Sequence, residues 1–168
     1  MEKDVDAVPN VTYRFACPGD EGKILNFIRA LAEYERMSDQ VVADEALLRE
    51  WIFEKNKAEV IFALEEGREV GFALFFHNFS TFLGRAGIYL EDLFVLPEYR
   101  GKGYGKGLLK KLASIAAERG CGRLEWACLD WNTPSIDFYT KRMQAVPMDE
   151  WTVYRLTGDT LIEAAKEE

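Results

Sequence analysis

Apolar positions along the 168-residue chain follow two periods. Val11 to Ala16 (VTYRFA), Glu59 to Leu64 (EVIFAL), Glu69 to Phe76 (EVGFALFF), a stretch ending at Val95, Arg123 to Leu129 and Thr152 to Leu156 (TVYRL) show the alternation or short apolar run of a β-strand. Ile24, Leu25, Phe27, Ile28, Leu31 and Ala32 recur at helical spacing and predict a helix from about Asp20 to Glu35. Leu47, Leu48, Trp51 and Ile52 predict a second, capped by Asp44, and Leu108, Leu109, Leu112, Ile115 and Ala116 a third, ending at Gly120. Pro134, with Asn132 or Thr133 as cap, opens a fourth that runs to about Arg142, and Asp159 caps a short C-terminal one. Glu65-Glu66-Gly67-Arg68 predicts a tight hairpin, and Asn78 to Gly87 reads as a loop. Residues 1–10 read as a loose tail and 11–168 as a single domain without repeats or linkers. The order is strand, two helices, three strands, helix, strand, helix, strand. It predicts a mixed α/β layer, antiparallel in its first half and with a crossover in its second.

Charge and cysteine content narrow the partners. A formal net charge of −8 and pI near 4.9 argue against non-specific nucleic-acid binding and are compatible with a cationic small molecule. Cys17, Cys121 and Cys128 are odd in number with no CxxC spacing, so neither a zinc site nor a disulfide framework is expected. The sole histidine, His77, has no second histidine or cysteine near it in sequence, and no metal is expected. The start MEKDVDAVPN lacks an apolar core, and no run of about 18 apolar residues occurs. A soluble cytoplasmic protein, off the membrane, is the expectation.

The chemistry concentrates in Tyr89 to Gly107, YLEDLFVLPEYRGKGYGKG: a strand, a Pro-marked bend, a glycine-rich loop and a helix start. No Gly-Lys-Ser/Thr follows, so this is not a Walker loop. The dinucleotide spacing fails as well, because it requires glycine at Lys106 or at Leu108. A bare strand-to-helix turn needs one or two glycines, and each surplus glycine costs roughly 1 kcal/mol at a helix start. Gly101, Gly103, Gly105 and Gly107 exceed that need. Lys102, Lys106, Lys110 and Lys111 also crowd the positive end of the helix dipole, an unfavourable place without an anion. Together they point to a loop that cradles an anion.

The segment Leu93-Phe94-Val95-x-Pro97-Glu98-Tyr99-Arg100-Gly101-Lys102-Gly103-Tyr104-Gly105 resembles the acetyl-CoA motif of the GNAT superfamily of N-acetyltransferases. Trp131-Asn132-Thr133-Pro134-Ser135-Ile136-Asp137-Phe138-Tyr139 resembles the family's second box. Leu31-Ala32-Glu33-Tyr34-Glu35 and Tyr89 to Val95 resemble its diamine branch, the spermidine/spermine acetyltransferases and their thialysine-using relatives. The resemblance spans about Tyr13 to Leu156. It implies a GNAT-like fold, a mostly antiparallel twisted sheet splayed between strands 4 and 5 with helices on both faces. It also implies acetyl-CoA as co-substrate. The pyrophosphate would lie on Arg100, Gly101, Lys102, Gly103, Tyr104, Gly105 and Lys106. The pantetheine arm would lie along Leu93, Phe94 and Val95 and near Asn132, Thr133, Pro134 and Tyr139. One departure stands out: the family's Gly-Ala before the last hairpin is Met143-Gln144-Ala145 here.

Acetyl transfer needs a neutral amine, yet a primary amine has a pKa near ~10.4. Glu91 suits the base, acting through water, and Tyr139 the acid that protonates the departing thiolate. Backbone N–H groups of Leu93 to Val95 suit the thioester carbonyl. Tyr34, Glu35, Glu91 and Asp149 or Glu150 match the branch's amine site, and carboxylates suit a polyamine, diamine or lysine-like cation. A protein or peptide amine is the alternative acceptor, and a non-catalytic acyl-CoA-binding module the alternative class. The branch implies a homodimer.

Overall fold

The computed structural model describes residues 10–166, so the tail expected at residues 1–10 lies, apart from Asn10, outside the described residues. The chain divides into two compact units, one ending at Ala127 and one beginning at Cys128.

The first unit holds a five-stranded sheet in the order β1 (Val11–Phe15), β2 (Glu59–Glu65), β3 (Arg68–Ser80), β4 (Arg85–Val95) and β5 (Leu124–Trp126). The first three junctions are antiparallel, and β4–β5 is parallel, joined through helix α3 (Tyr104–Glu118). This is the mixed sheet with a late crossover that the sequence predicts. Glu66 and Gly67 both take positive φ, 50° and 81°, as the tight turn between β2 and β3 demands. The expected loop from Asn78 to Gly87 is corrected. Pairing continues to Ser80 opposite Arg85, leaving only 81–84 as the turn. The segment looks like a loop in sequence because its aromatic residues, Phe79 and Phe82, face solvent.

Helix α1 (Glu21–Tyr34) packs Ile24 and Phe27 on Val60, Phe62, Leu64, Phe72 and Phe94. The Phe27 and Phe72 rings stack at 5.1 Å. Burying each such side chain contributes on the order of 2–3 kcal/mol. Helix α2 (Glu45–Leu48) is capped by Asp44, whose Oδ1 accepts the Leu47 N–H at 2.8 Å, and continues as a π turn over Arg49–Glu54. Ile61 and Ala63, between the positions that meet α1, are equally buried, and α3 packs on that side. A strand buried on both faces reads as an unbroken apolar run, which is what EVIFAL is.

In the second unit, α4 (Thr133–Asp137) starts at Asn132, whose Oδ1 accepts the Ser135 N–H at 3.4 Å, and passes into a π turn over Phe138–Arg142. At the departure noted above, Gln144 takes φ 56° and the Ala145 N–H closes on the Tyr139 carbonyl at 3.0 Å. A non-glycine residue there costs about 1 kcal/mol, so the turn persists without the glycine. Three expectations are corrected. The fifth strand stops at Trp126 rather than Leu129. No strand forms over Thr152–Leu156, where Val153, Tyr154 and Leu156 are exposed and alternation has no sheet partner to act on. The N-cap of α5 (Gly158–Ala164) is Thr157, with Asp159 inside the first turn.

Candidate active site

The sheet opens at one residue. β4 pairs with β5 only through Ile88, Tyr89 and Leu90, so from Glu91 onward its far side is unpaired. At the same place the β3–β4 register slips: Leu74 faces Asp92 and Phe75 faces Leu90, leaving Glu91 as the extra residue of a β-bulge. The Leu96 N–H bonds the Val70 carbonyl at 2.9 Å. Antiparallel alternation then directs the backbone groups of Phe94 toward β3 and those of Leu93 and Val95 into the opening. Donors in a fixed row thus line the fork.

Past the turn at Pro97–Tyr99, Gly101 and Gly103 adopt φ of 76° and 90°, a conformation costly for any side chain. Gly103 is the N-cap of α3, and the first intrahelical bond runs from the Gly107 N–H to its carbonyl at 2.9 Å. The N–H groups before it have no carbonyl within the helix and present an anion site. Not every glycine serves that purpose. A Cβ on Gly107 would lie 2.0 Å from the Tyr13 hydroxyl, so this glycine admits the β1 tyrosine. Tyr104 is core: its buried hydroxyl donates to Glu65 Oε1 at 2.5 Å, and burial, then Glu65, pushes the phenol up to about 12. Only its backbone is left for a ligand. Lys102 is exposed, 3.7 Å from Glu65.

Three carboxylates meet where α1 ends against the bulge. Burial first, then the charges of Glu91 and Glu35, raises Asp92 to about 6. Burial also raises Glu35. Among the described residues no ion pair reaches Glu35, Glu91 or Asp92. Strict alternation would send Asp92 away from Glu91; the bulge breaks that alternation, and this is why sequence spacing misses Asp92. Beside them the Tyr34 ring lies 6.3 Å from that of Phe94. The Arg100 guanidinium sits 4.8 Å from the first ring centroid and 4.9 Å from the second.

In the second unit Asn132, Thr133 and Pro134 form the start of α4, and half-buried Tyr139 follows in the π turn, its ring 5.6 Å from that of Phe138. Glu150 stands in an exposed turn beyond them, next to Asp149. The structure therefore groups Tyr34, Glu35, Glu91 and the glycine loop in the first unit and Asn132 to Tyr139 in the second.

The sequence matches the Acetyltransferase (GNAT) family over residues 24–143. The chain belongs to the GNAT acetyltransferase family. A thialysine N-epsilon-acetyltransferase of Bos taurus is 41% identical over 167 residues, covering 92% of this chain and 97% of that protein. A spermidine/spermine N(1)-acetyltransferase-like protein 1 of Homo sapiens is 30% identical over 165 residues, covering 92% of this chain and 24% of that protein. Among solved structures, an integron cassette protein from the mobile metagenome of V. cholerae aligns with TM-score 0.78 and 30% identity over 94% of this chain and 99% of its own. The protein is an N-acetyltransferase, and the non-catalytic alternative gives way.

One neighbour of the acetyltransferase's histidine is invisible in sequence. Arg119 can only donate, so His77 Nε2 accepts from it at 3.0 Å and Nδ1 donates to the Gly87 carbonyl at 3.0 Å. Cys121 Sγ lies 3.8 Å from Nδ1. Among the described residues no three metal-ligating side chains converge.

Proposed function

We propose that this acetyltransferase moves the acetyl group of acetyl-CoA to a primary amine of a small diamine, polyamine or lysine-like cation. The observation that carries the reading is the Glu35–Glu91–Asp92 trio, three carboxylates that no ion pair reaches among the described residues. A cationic substrate supplies the missing charge and lets Asp92 ionise. Relatives that act on thialysine, 41% identical, favour the lysine-like end of this range.

The co-substrate's pyrophosphate would lie on the Arg100–Gly105 backbone at the start of α3 and its pantetheine along the open edge of Leu93 and Val95; the family resemblance adds Asn132, Thr133 and Pro134 to its contacts. Glu91 takes a proton from the ammonium through water. The neutral nitrogen attacks the thioester carbonyl, whose oxygen gains charge against the β4 N–H donors. As the C–S bond breaks, the nitrogen sheds its second proton to solvent, and Tyr139 gives the thiolate its proton and regains one from solvent. The products are the acetamide, CoA–SH and one proton. Tyr34 and Glu35 would complete the cation site, to which the family resemblance adds Glu150.

Release of CoA thiol across a panel of lysine analogues, ornithine, diamines, polyamines and lysine-containing peptides tests the reading. Turnover on small cations with weaker activity on peptides is expected; acetyl-CoA binding without turnover on any amine would sink it. Tyr139→Phe should lower kcat by about 10²-fold and flatten the alkaline limb of the pH profile.

The same reading takes the enzyme as a homodimer working in a reducing cytoplasm. In support of the dimer, Val146, Trp151, Val153 and Tyr154 expose large apolar surface within one short segment. Three free cysteines fit a reducing compartment. Sedimentation equilibrium should return twice the 19.2 kDa chain mass.

A further inference from the structure

Arg100 belongs to the anion loop by sequence, yet its side chain folds back onto β4 and the end of α1. Nε donates to the Val95 carbonyl at 3.0 Å. By the alternation described above, that carbonyl points into the fork, where no neighbouring strand satisfies it. The guanidinium also lies 4.8 Å from the Tyr34 ring centroid and 4.9 Å from that of Phe94. One side chain thus touches the cofactor loop, the fork strand and the last residue of α1, next to Glu35. Such a planar cation is held by both rings and by the carbonyl, and lysine could not copy that geometry. Nε is thereby committed to the Val95 carbonyl rather than to a phosphate.

We propose that Arg100 is a positioning residue that links the cofactor loop to the amine site. When acetyl-CoA fixes the loop, Arg100 fixes Tyr34 and with it Glu35, and the amine meets an ordered pocket. Phosphate is held by the loop backbone and the start of α3. The last step, the effect on amine affinity, rests on the amine reading above. Linkage makes the effect reciprocal: bound amine raises cofactor affinity by the same factor.

Hydrogen exchange of the intact protein with and without CoA tests the link directly. In the wild type, CoA should protect residues 31–36 as well as the loop at 98–107. In Arg100→Met the loop should remain protected, protection at 31–36 should vanish, and the CoA Kd should stay within about 3-fold. Amine KM should rise about 10-fold with kcat within about 3-fold. Tyr34→Leu should weaken amine binding similarly, and the double variant should add little. Arg100→Lys carries the same readouts should the methionine variant fail to fold, and it should behave like it. A CoA affinity reduced about 10-fold or more would place the guanidinium on phosphate and overturn the proposal. So would a wild type in which CoA leaves 31–36 unprotected. If no amine is turned over, the amine reading fails, while the exchange data still decide the link.

Discussion

Two carboxylate clusters in the first unit have opposite fates. In one, the Arg14 guanidinium forks onto Asp20 at 2.7 and 2.9 Å and onto Glu69 at 2.7 Å, and Lys23 adds a second bond to Glu69 at 2.7 Å. Burial would raise Glu69, but the bonds from Arg14 and Lys23 outweigh it and bring the carboxyl to about 2. Arg14 above all holds Asp20 well below the usual carboxylate range. In the other cluster no ion pair among the described residues reaches Glu35, Glu91 or Asp92, and Asp92 rises to about 6. Both sit where a helix meets the sheet. The first is electrically complete and ties β1, α1 and β3 together. No ion pair among the described residues reaches the second, which fits the amine site proposed for it.

Amide substitutions separate the two most sharply. Glu91→Gln should cut kcat/KM by about 10²–10³-fold, the loss of a general base, with no loss of stability. Glu69→Gln should do the reverse, costing about 2–3 kcal/mol in urea unfolding, because Arg14 and Lys23 lose a part-buried partner. Its kcat should stay within about 3-fold. If Glu69→Gln abolished turnover in a protein of wild-type stability, the division of labour would collapse.

The pH dependence of stability is the next largest effect, and its sign differs between the clusters. Asp92 has a folded pKa of about 6, above its unfolded value near ~3.9, so the folded state holds the extra proton. Its contribution to stability is full below about pH 4 and is lost as the pH rises through about 6. Glu69 is depressed to about 2, so its contribution is present above about pH 4 and lost as the pH falls toward 2. Asp92→Asn should therefore gain about 1–2 kcal/mol at pH 8 and nothing at pH 4, as read by urea midpoints. A saturating amine substrate should erase most of that gain. An equal gain at both pH values would mean that packing, not charge, drives it.

The origin of this contrast explains what the sequence could disclose. α1, α3 and the Glu66-Gly67 turn were legible because each is written in a local period or a local φ requirement. The glycine loop was legible for the same reason, although Gly107 proves to admit Tyr13 rather than an anion. Asp92 was not legible, because one extra residue at Glu91 resets the alternation and nothing in the linear pattern announces a bulge. The engagement of Arg100 with Tyr34 was hidden too, since it joins segments far apart in the chain. Thr152–Leu156 failed the other way: its alternation is real, but a strand also needs a partner edge, which spacing does not encode. The Arg14 cluster shares the difficulty, because Glu69 reads as the polar start of a strand and not as half of an ion pair.

Within the complete cluster, the smallest expected effect asks which cation does the neutralising. Lys23 is half-exposed, whereas Arg14 reaches both carboxylates with a planar fork and lies 4.8 Å from the Phe62 ring centroid. An exposed lysine pair is screened by water and salt and contributes little, while a bidentate arginine is held in place by its geometry. Lys23→Gln should therefore cost only about 0.5 kcal/mol, shrinking further in 0.5 M salt, on the order expected for a surface pair. Glu69 should keep a depressed titration by carboxyl-carbon NMR, because Arg14 remains. A loss as large as that of Glu69→Gln would show instead that the cluster needs both cations, and that it is poised closer to the uncompensated state of Asp92 than its geometry implies.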